Sequence, residues 1–197
     1  MKIGGEIAVD FANTTAPEGR EAGRFRSWRD LVDFLELRDA VSRSEGTALR
    51  AMGERDARGC GAAFEQALAL RVTVRAVLEA LAGRRPLQAG WVDAVNRALA
   101  LGAGTGRLAR QGRGWRLDFA PTVGEPLRAL APIARSIADL IAQGRAVTIR
   151  KCANPACTVY FRDTSRARRR RWCSMAVCGN RMKVATHTRR HGRRIPA

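Results

Sequence analysis

The sequence predicts an α+β protein: a mainly helical N-terminal domain with a small β-hairpin, followed by a compact C-terminal module built on four cysteines. Three observations carry this expectation. Apolar residues recur at helical spacing through most of residues 1–144. One alternating stretch interrupts them near residue 112. Of the 5 cysteines, all but Cys60 lie in residues 145–197, where the charge also turns strongly positive.

Taken in order, the short apolar run from Ile7 to Phe11 predicts a strand over 7–11. The polar residues Asp10, Asn13, Thr14 and Thr15 either cap the turn that follows or line a ligand pocket. Ser27 resembles an N-cap with an acid, Asp30, three residues on, and Leu31, Phe34, Leu35 and Val41 form an amphipathic stripe, predicting a helix over 27–43. A longer run over 64–81, with Leu68, Val72, Val74, Val77, Leu78 and Leu81, predicts a central helix, apolar almost all round, stopped by Gly83 and Pro86. Helices are also predicted over 91–101 and 125–143, the second opened by Pro126 and closed by Gly144. Between these two, residues 107–110 and 115–119 flank Gln111, Gly112, Arg113 and Gly114 as the arms of a hairpin. Gly102, Gly104 and Gly106 follow a helix and precede a strand. That is the reverse of a dinucleotide-binding fingerprint, so a turn is expected there. Cys60 has no nearby histidine and reads as an unreactive thiol.

Apolar residues make up 46% and charged residues 27% of the 197, which is ordinary globular usage and excludes a largely disordered or fibrous chain. The formal charge of +18 is regional: residues 145–197 carry 15 Lys plus Arg against one acid, Asp163, for a net +14, and residues 1–144 carry the remaining +4. A polyanionic partner is implied for the tail. A membrane is not, because no run of about 18 apolar residues occurs. The first residues include Glu6 and Asp10 and lack the apolar core of a signal peptide, so a cytoplasmic protein is expected. The charge break sets the expected boundary between domains 1–144 and 145–197.

Cys152, Cys157, Cys173 and Cys178 fall in the pattern C-x4-C-x15-C-x4-C. Two such knuckles can converge on one ion, and four thiolates suit a closed tetrahedral Zn2+ shell, which is structural and not catalytic. An iron–sulfur cluster is the weaker fit in this basic polar setting, and disulfides are disfavoured by the expected compartment. Strands are predicted at 147–150 and 159–162. Asn154 and Pro155 form the turn of the first knuckle, and Ser174 caps a helix over 175–190 whose first turn holds Cys178. That order is treble-clef-like. A module this small has little core, so the metal is expected to supply most of its folding free energy, on the order of 10 kcal/mol. His187 and His191 stand at i and i+4, but a site made from them would leave Cys152 and Cys157 idle, so they are read as helix surface.

Arg166, Arg168, Arg169, Arg170 and Arg171 form a cationic loop between the knuckles, and Arg181, Lys183, Arg189 and Arg190 follow on the helix, with Arg193 and Arg194 just past it. Guanidinium forks bind phosphate, and a zinc-anchored helix can present side chains to a groove, so these residues are the candidate nucleic-acid contacts. Tyr160, Phe161 and Trp172 are the only rings of the module, too few for a single-strand stacking surface, which favours duplex DNA.

The run Trp172, Cys173, Ser174 with Cys178, Gly179, Asn180 and Arg181, behind Cys152 and Cys157, resembles the CGNR zinc finger. Gly4, Gly5 and Val9, Asp10, Phe11, Asn13, Thr14 resemble the opening G-G and D-F-x-N-T pattern of the ABATE domain, a bacterial family of stress-induced transcription regulators, so the likeness covers nearly the whole chain. It implies the four cysteines as zinc ligands, transcription regulation, DNA as partner with nucleoid association, and a sensory or assembly role for residues 1–144. It also favours the pocket reading of Asp10, Asn13 and Thr14. A small-molecule effector and a homodimer are the further partners it suggests. Within the motif, Gly179 is expected to allow close approach at the metal, Asn180 to bond the first knuckle's backbone, and Arg181 to reach phosphate or brace the fold. Two other functions compete with DNA binding. An enzyme site around Asp10 lacks a histidine or a motif-related second carboxylate in its domain, so no enzyme is expected. An adaptor whose finger binds an acidic protein would show no affinity for random duplex DNA.

Overall fold

The computed structural model describes residues 5–15, 25–101, 106–111, 114–119 and 125–191. Seven α-helices and two two-stranded antiparallel sheets occur among them. Gly102 and Gly104 lie outside the described residues, as do Arg193 and Arg194.

Residues 7–11 are not a strand. They belong to helix α1 (Ile7–Ala12), buried from Ala8 to Ala12 between the helices Ala57–Ala82 and Ala131–Gln143 and the strand Tyr160–Arg162. A short apolar run is compatible with a strand. A segment enclosed on all sides must instead satisfy its own backbone, which a helix does. The Ser136 hydroxyl accepts from the Ala8 N–H at 3.1 Å, serving one of the orphan donors of the first turn.

Helix α2 (Trp28–Leu37) starts on the Ser27 cap as expected, with Asp30 N–H donating to Ser27 Oγ, but it stops well before residue 43. Asp39 turns the chain in the left-handed region (φ 57°), and Ser42 with Glu45 forms a reciprocal capping box that opens a separate helix, α3 (Arg43–Arg55). Two glycines let α3 lie close on α2. A Cβ on Gly46 would meet the Glu36 carboxylate, and one on Gly53 would meet the Trp28 ring. The Trp28 indole N–H crosses to the Leu49 carbonyl at 2.8 Å.

Helix α4 (Ala57–Ala82), capped by Asp56, is the central element, with Phe64, Leu70, Val74, Val77 and Leu78 buried. It is not buried all round: Val72 is 69% exposed. Helix α5 (Ala89–Leu101) and α6 (Ala131–Gln143) complete the bundle, α6 preceded by a 3₁₀ turn, Pro126–Leu130, and ended at Gly144 with φ 52°. Strands β1 (Gly106–Gln111) and β2 (Gly114–Phe119) pair as the expected hairpin, Gln111 opposite Gly114.

Strands β3 (Ile149–Lys151) and β4 (Tyr160–Arg162) form the second sheet. Alternation along β4 sends neighbouring side chains to different cores. Tyr160 joins the helical core together with Ile149, whereas Phe161 joins the four cysteines, Val159 and Trp172. A widened, π-type turn, Met175–Gly179, then leads into helix α7 (Asn180–His191).

Candidate metal centre and nucleic-acid interface

The order β3, knuckle, β4, knuckle, helix brings Cys152, Cys157, Cys173 and Cys178 together, with all four sulfurs within 4.8 Å of one another and every one of these residues buried. The Cys157 and Cys173 sulfurs are 3.8 Å apart, and those of Cys173 and Cys178 3.6 Å. A tetrahedron with metal–sulfur bonds of about 2.3 Å has edges of about 3.8 Å. These separations are far beyond the ~2.05 Å of a disulfide. The donor set fits one structural Zn2+.

Hydrogen bonds hold the sulfurs from behind. The buried Asn154 amide donates to Cys178 Sγ at 3.6 Å, and the Cys173 N–H donates to Cys152 Sγ at 3.5 Å. Asn154 also shapes its own knuckle: its Oδ1 accepts from the Ala156 N–H and its carbonyl from the Cys157 N–H. Burial pushes the Cys157 and Cys173 thiols up, which opposes the thiolate form that a metal needs. Burial acts the same way on Cys178, but the Asn154 amide and the neighbouring thiols outweigh it and hold Cys178 below the usual thiol range. Such donors to a ligand sulfur orient it for the metal.

Gly179 and Asn180 act differently from their expected roles. A Cβ on Gly179 would strike the Met175 sulfur and crowd the Trp172 ring, so this glycine admits side chains over the turn and not the metal. Asn180 donates to the Ala176 carbonyl of its own turn, and the amide that ties the knuckles together is Asn154. Asn154 sits in the N-P turn between the first two cysteines, a position that marks it as a knuckle residue even in sequence. His187 is exposed on α7 and is not part of the sulfur cluster; the side chains of His191, Arg189 and Arg190 lie outside the described residues.

The arginine loop is organised around Asp163, whose carboxylate is 0% exposed. Its Oδ1 accepts from the Ser165 N–H and hydroxyl, and its Oδ2 from the Arg170 N–H and the Arg150 guanidinium, each of these last at 2.9 Å. Burial alone would raise this carboxyl. The Ser165, Arg170 and Arg150 donors outweigh burial and hold it below the usual carboxylate range. Arg170 is thereby a structural residue. Its guanidinium lies 4.6 Å over the Phe161 ring and donates to the Trp172 and Cys173 carbonyls, lashing the loop to the second knuckle. Arg171 stacks on Trp172 at 5.0 Å while staying exposed. Arg166, Arg168, Arg169, Arg181 and Lys183 are exposed to solvent.

In the helical domain, Asp10, Asn13 and Thr14 turn to protein partners. Asp10 pairs with Arg38 at 2.7 Å, both side chains buried. Asn13 mimics a strand edge, donating to the Tyr160 carbonyl at 2.7 Å and accepting from the Tyr160 N–H at 2.9 Å. Thr14 caps the Phe11 carbonyl and accepts from Arg71. Arg75 donates to Ala12, Thr15 and Thr158 and lies over the Tyr160 ring, while Arg162 pairs with Glu6. These contacts clamp the zinc module to α1 and α4. A shallow cleft near the α2–α3 turn is lined by Glu36, Asp39, Val41, Ser42 and Arg43, and by none of the three expected pocket residues.

Among the described residues no helix is long and apolar enough to cross a membrane. No curated protein shows a match to the chain. Two family models match it: the CGNR zinc finger over residues 148–191, and the ABATE domain, described as "Putative stress-induced transcription regulator", over residues 5–144. With that second match spanning most of its length and the four sulfurs gathered inside the first, the chain belongs to the ABATE family and carries a CGNR zinc finger behind the ABATE region.

Proposed function

We propose that this regulator binds duplex DNA through its zinc finger, with Arg166, Arg168, Arg169, Arg171, Arg181, Lys183, Arg189 and Arg190 as the cationic contacts. One observation carries the reading. Asp163, the only acid of residues 145–197, is withdrawn from the surface and spent on shaping the arginine loop, so the face presented to solvent is of a single sign. Charge of one sign on a rigid scaffold suits a phosphate backbone. The zinc holds the loop and α7 in one unit, and the chain needs no catalytic group for this role. The test is a titration of zinc-loaded full-length protein with random-sequence duplex DNA from about 50 to 200 mM salt. Neutralising about six phosphates gives a slope of log K against log salt of roughly −5. Binding that ignores salt, or that prefers an acidic polypeptide to DNA, would support the adaptor reading instead.

For the helical domain we propose an effector role centred on Arg38 and Asp10. The Arg38 side chain is 7% exposed, and its Nε and Nη1 have no hydrogen-bond partner among the described residues. Buried donors without acceptors are costly, about 1–3 kcal/mol each, and a small molecule bearing carboxylate or carbonyl oxygens relieves that cost. Thermal-shift measurements against phosphate and a set of small carboxylates, in the wild type and Arg38→Met, test this. Equal shifts in both proteins would reject it.

A further inference from the structure

Helix α7 stands out from the rest of the molecule: its main packing partner is the turn that precedes it, and its 12 residues extend about 18 Å. Met182 and Thr186 are half-buried and mark the inner face. Val184 lies two residues, about 200°, from each of them, so it points directly outward, and it is 65% exposed. Its neighbours one turn away, at i±3 and i±4, are Asn180, Arg181, His187 and Thr188, all exposed. The outward face is therefore not a plain cationic one. It places an apolar β-branched side chain in the centre and hydrogen-bonding groups around it, with Arg181 making no hydrogen bond or ion pair among the described residues.

Phosphate binding needs charge and no more. A guanidinium beside an apolar group matches base edges in the major groove, where guanine offers O6 and N7 and thymine offers its methyl group. We infer that the outward face of α7 reads DNA sequence, Arg181 engaging a guanine edge and Val184 packing on a thymine methyl, while the loop residues Arg166, Arg168 and Arg169 hold phosphates. The inference rests on the DNA-binding reading above. Its geometry depends on the zinc: Cys178 lies two residues before α7, and Arg170 ties the loop to the Cys173 carbonyl, so loop and helix share one anchored core. Arg181, Val184 and the three loop arginines are exposed, and replacing them leaves the sulfur cluster and the Asp163 hub intact.

The experiment is selection of bound duplexes from a randomised pool by zinc-loaded full-length protein, followed by titration of the selected duplex and of copies in which single thymines are replaced by deoxyuridine. A preferred sequence containing guanine near thymine is expected. Removing the critical methyl should weaken wild-type binding about fourfold, the equivalent of one buried methyl. Val184→Ala should bind the thymine and deoxyuridine duplexes equally, and Arg181→Lys should lose about tenfold on the guanine-containing duplex relative to a substituted one. Replacing the loop arginines with alanine should weaken all sequences alike. Salt-sensitive binding with no preferred sequence overturns the inference and leaves the DNA-binding reading standing, as does a base preference that survives both α7 variants. Absence of any duplex binding overturns both.

Discussion

Replacing Asp163 with asparagine isolates the group on which the arginine loop depends. The carboxylate accepts from the Ser165 N–H and hydroxyl on one oxygen and from the Arg170 N–H and Arg150 Nε on the other. Asparagine keeps one acceptor, so its NH2 must face two donors that stand 2.9 Å away. Leaving the Arg170 N–H unsatisfied costs about 1–3 kcal/mol. The ion pair with the partly exposed Arg150 adds about 0.5–1 kcal/mol after solvent screening. A total near 3 kcal/mol corresponds to a fall in Tm of roughly 6–12 °C for a chain of this size. Calorimetry of zinc-loaded full-length protein reads it. Because the native carboxyl is held below its unfolded value, the advantage over Asp163→Asn is complete above about pH 4 and disappears as pH falls through the native pKa. A variant that melts within about 1 °C of wild type at neutral pH, or a gap that does not close in acid, would refute the reasoning.

Arg170→Ala and Arg169→Ala should part company: the first loses about 2 kcal/mol of stability with its stacking and carbonyl contacts, whereas the second melts like wild type but flattens the salt slope for DNA by about 1. Denaturation and salt titrations of the pair check this, and identical behaviour would contradict the division of labour. Asn13→Ala removes both bonds to the Tyr160 backbone and should cost about 2 kcal/mol, with faster hydrogen exchange at the Tyr160 amide. Stripping zinc with a chelator should lower the melting temperature of the whole chain, because Ile149 and Tyr160 of the finger's sheet sit in the helical core; a helical domain that melts unchanged would count against that coupling. Gly179→Ala should cost on the order of 1 kcal/mol as Met175 swings away and Trp172 gives by a few tenths of an ångström, read by denaturant unfolding.

The metal centre was legible because cysteine spacing is a direct record of its geometry: two knuckles of equal length need to converge, and they do. The hairpin and the helical domain followed from period and turn chemistry. What escaped was set by contacts distant in sequence. The short apolar run from Ile7 to Phe11 is compatible with a strand, and only enclosure between α4 and α6 decides for a helix. The capping pair Ser42 and Glu45 was present to be read, yet the apolar stripe through Val41 masked the helix boundary it creates. Asn13 and Tyr160 meet across 147 positions, which no local pattern foreshadows. Within the arginine run every side chain looks alike in sequence; the buried carboxylate of Asp163 and the Phe161 ring are what draw Arg170 inward and leave its neighbours to solvent.

Everything proposed for the finger depends on four sulfurs sharing one ion. X-ray absorption at the zinc edge, on protein purified without added metal, tests this most directly. One zinc per chain surrounded by four sulfurs at about 2.3 Å is the predicted result. A shell containing nitrogen or oxygen in place of any sulfur, or a folded finger with no zinc, would contradict it.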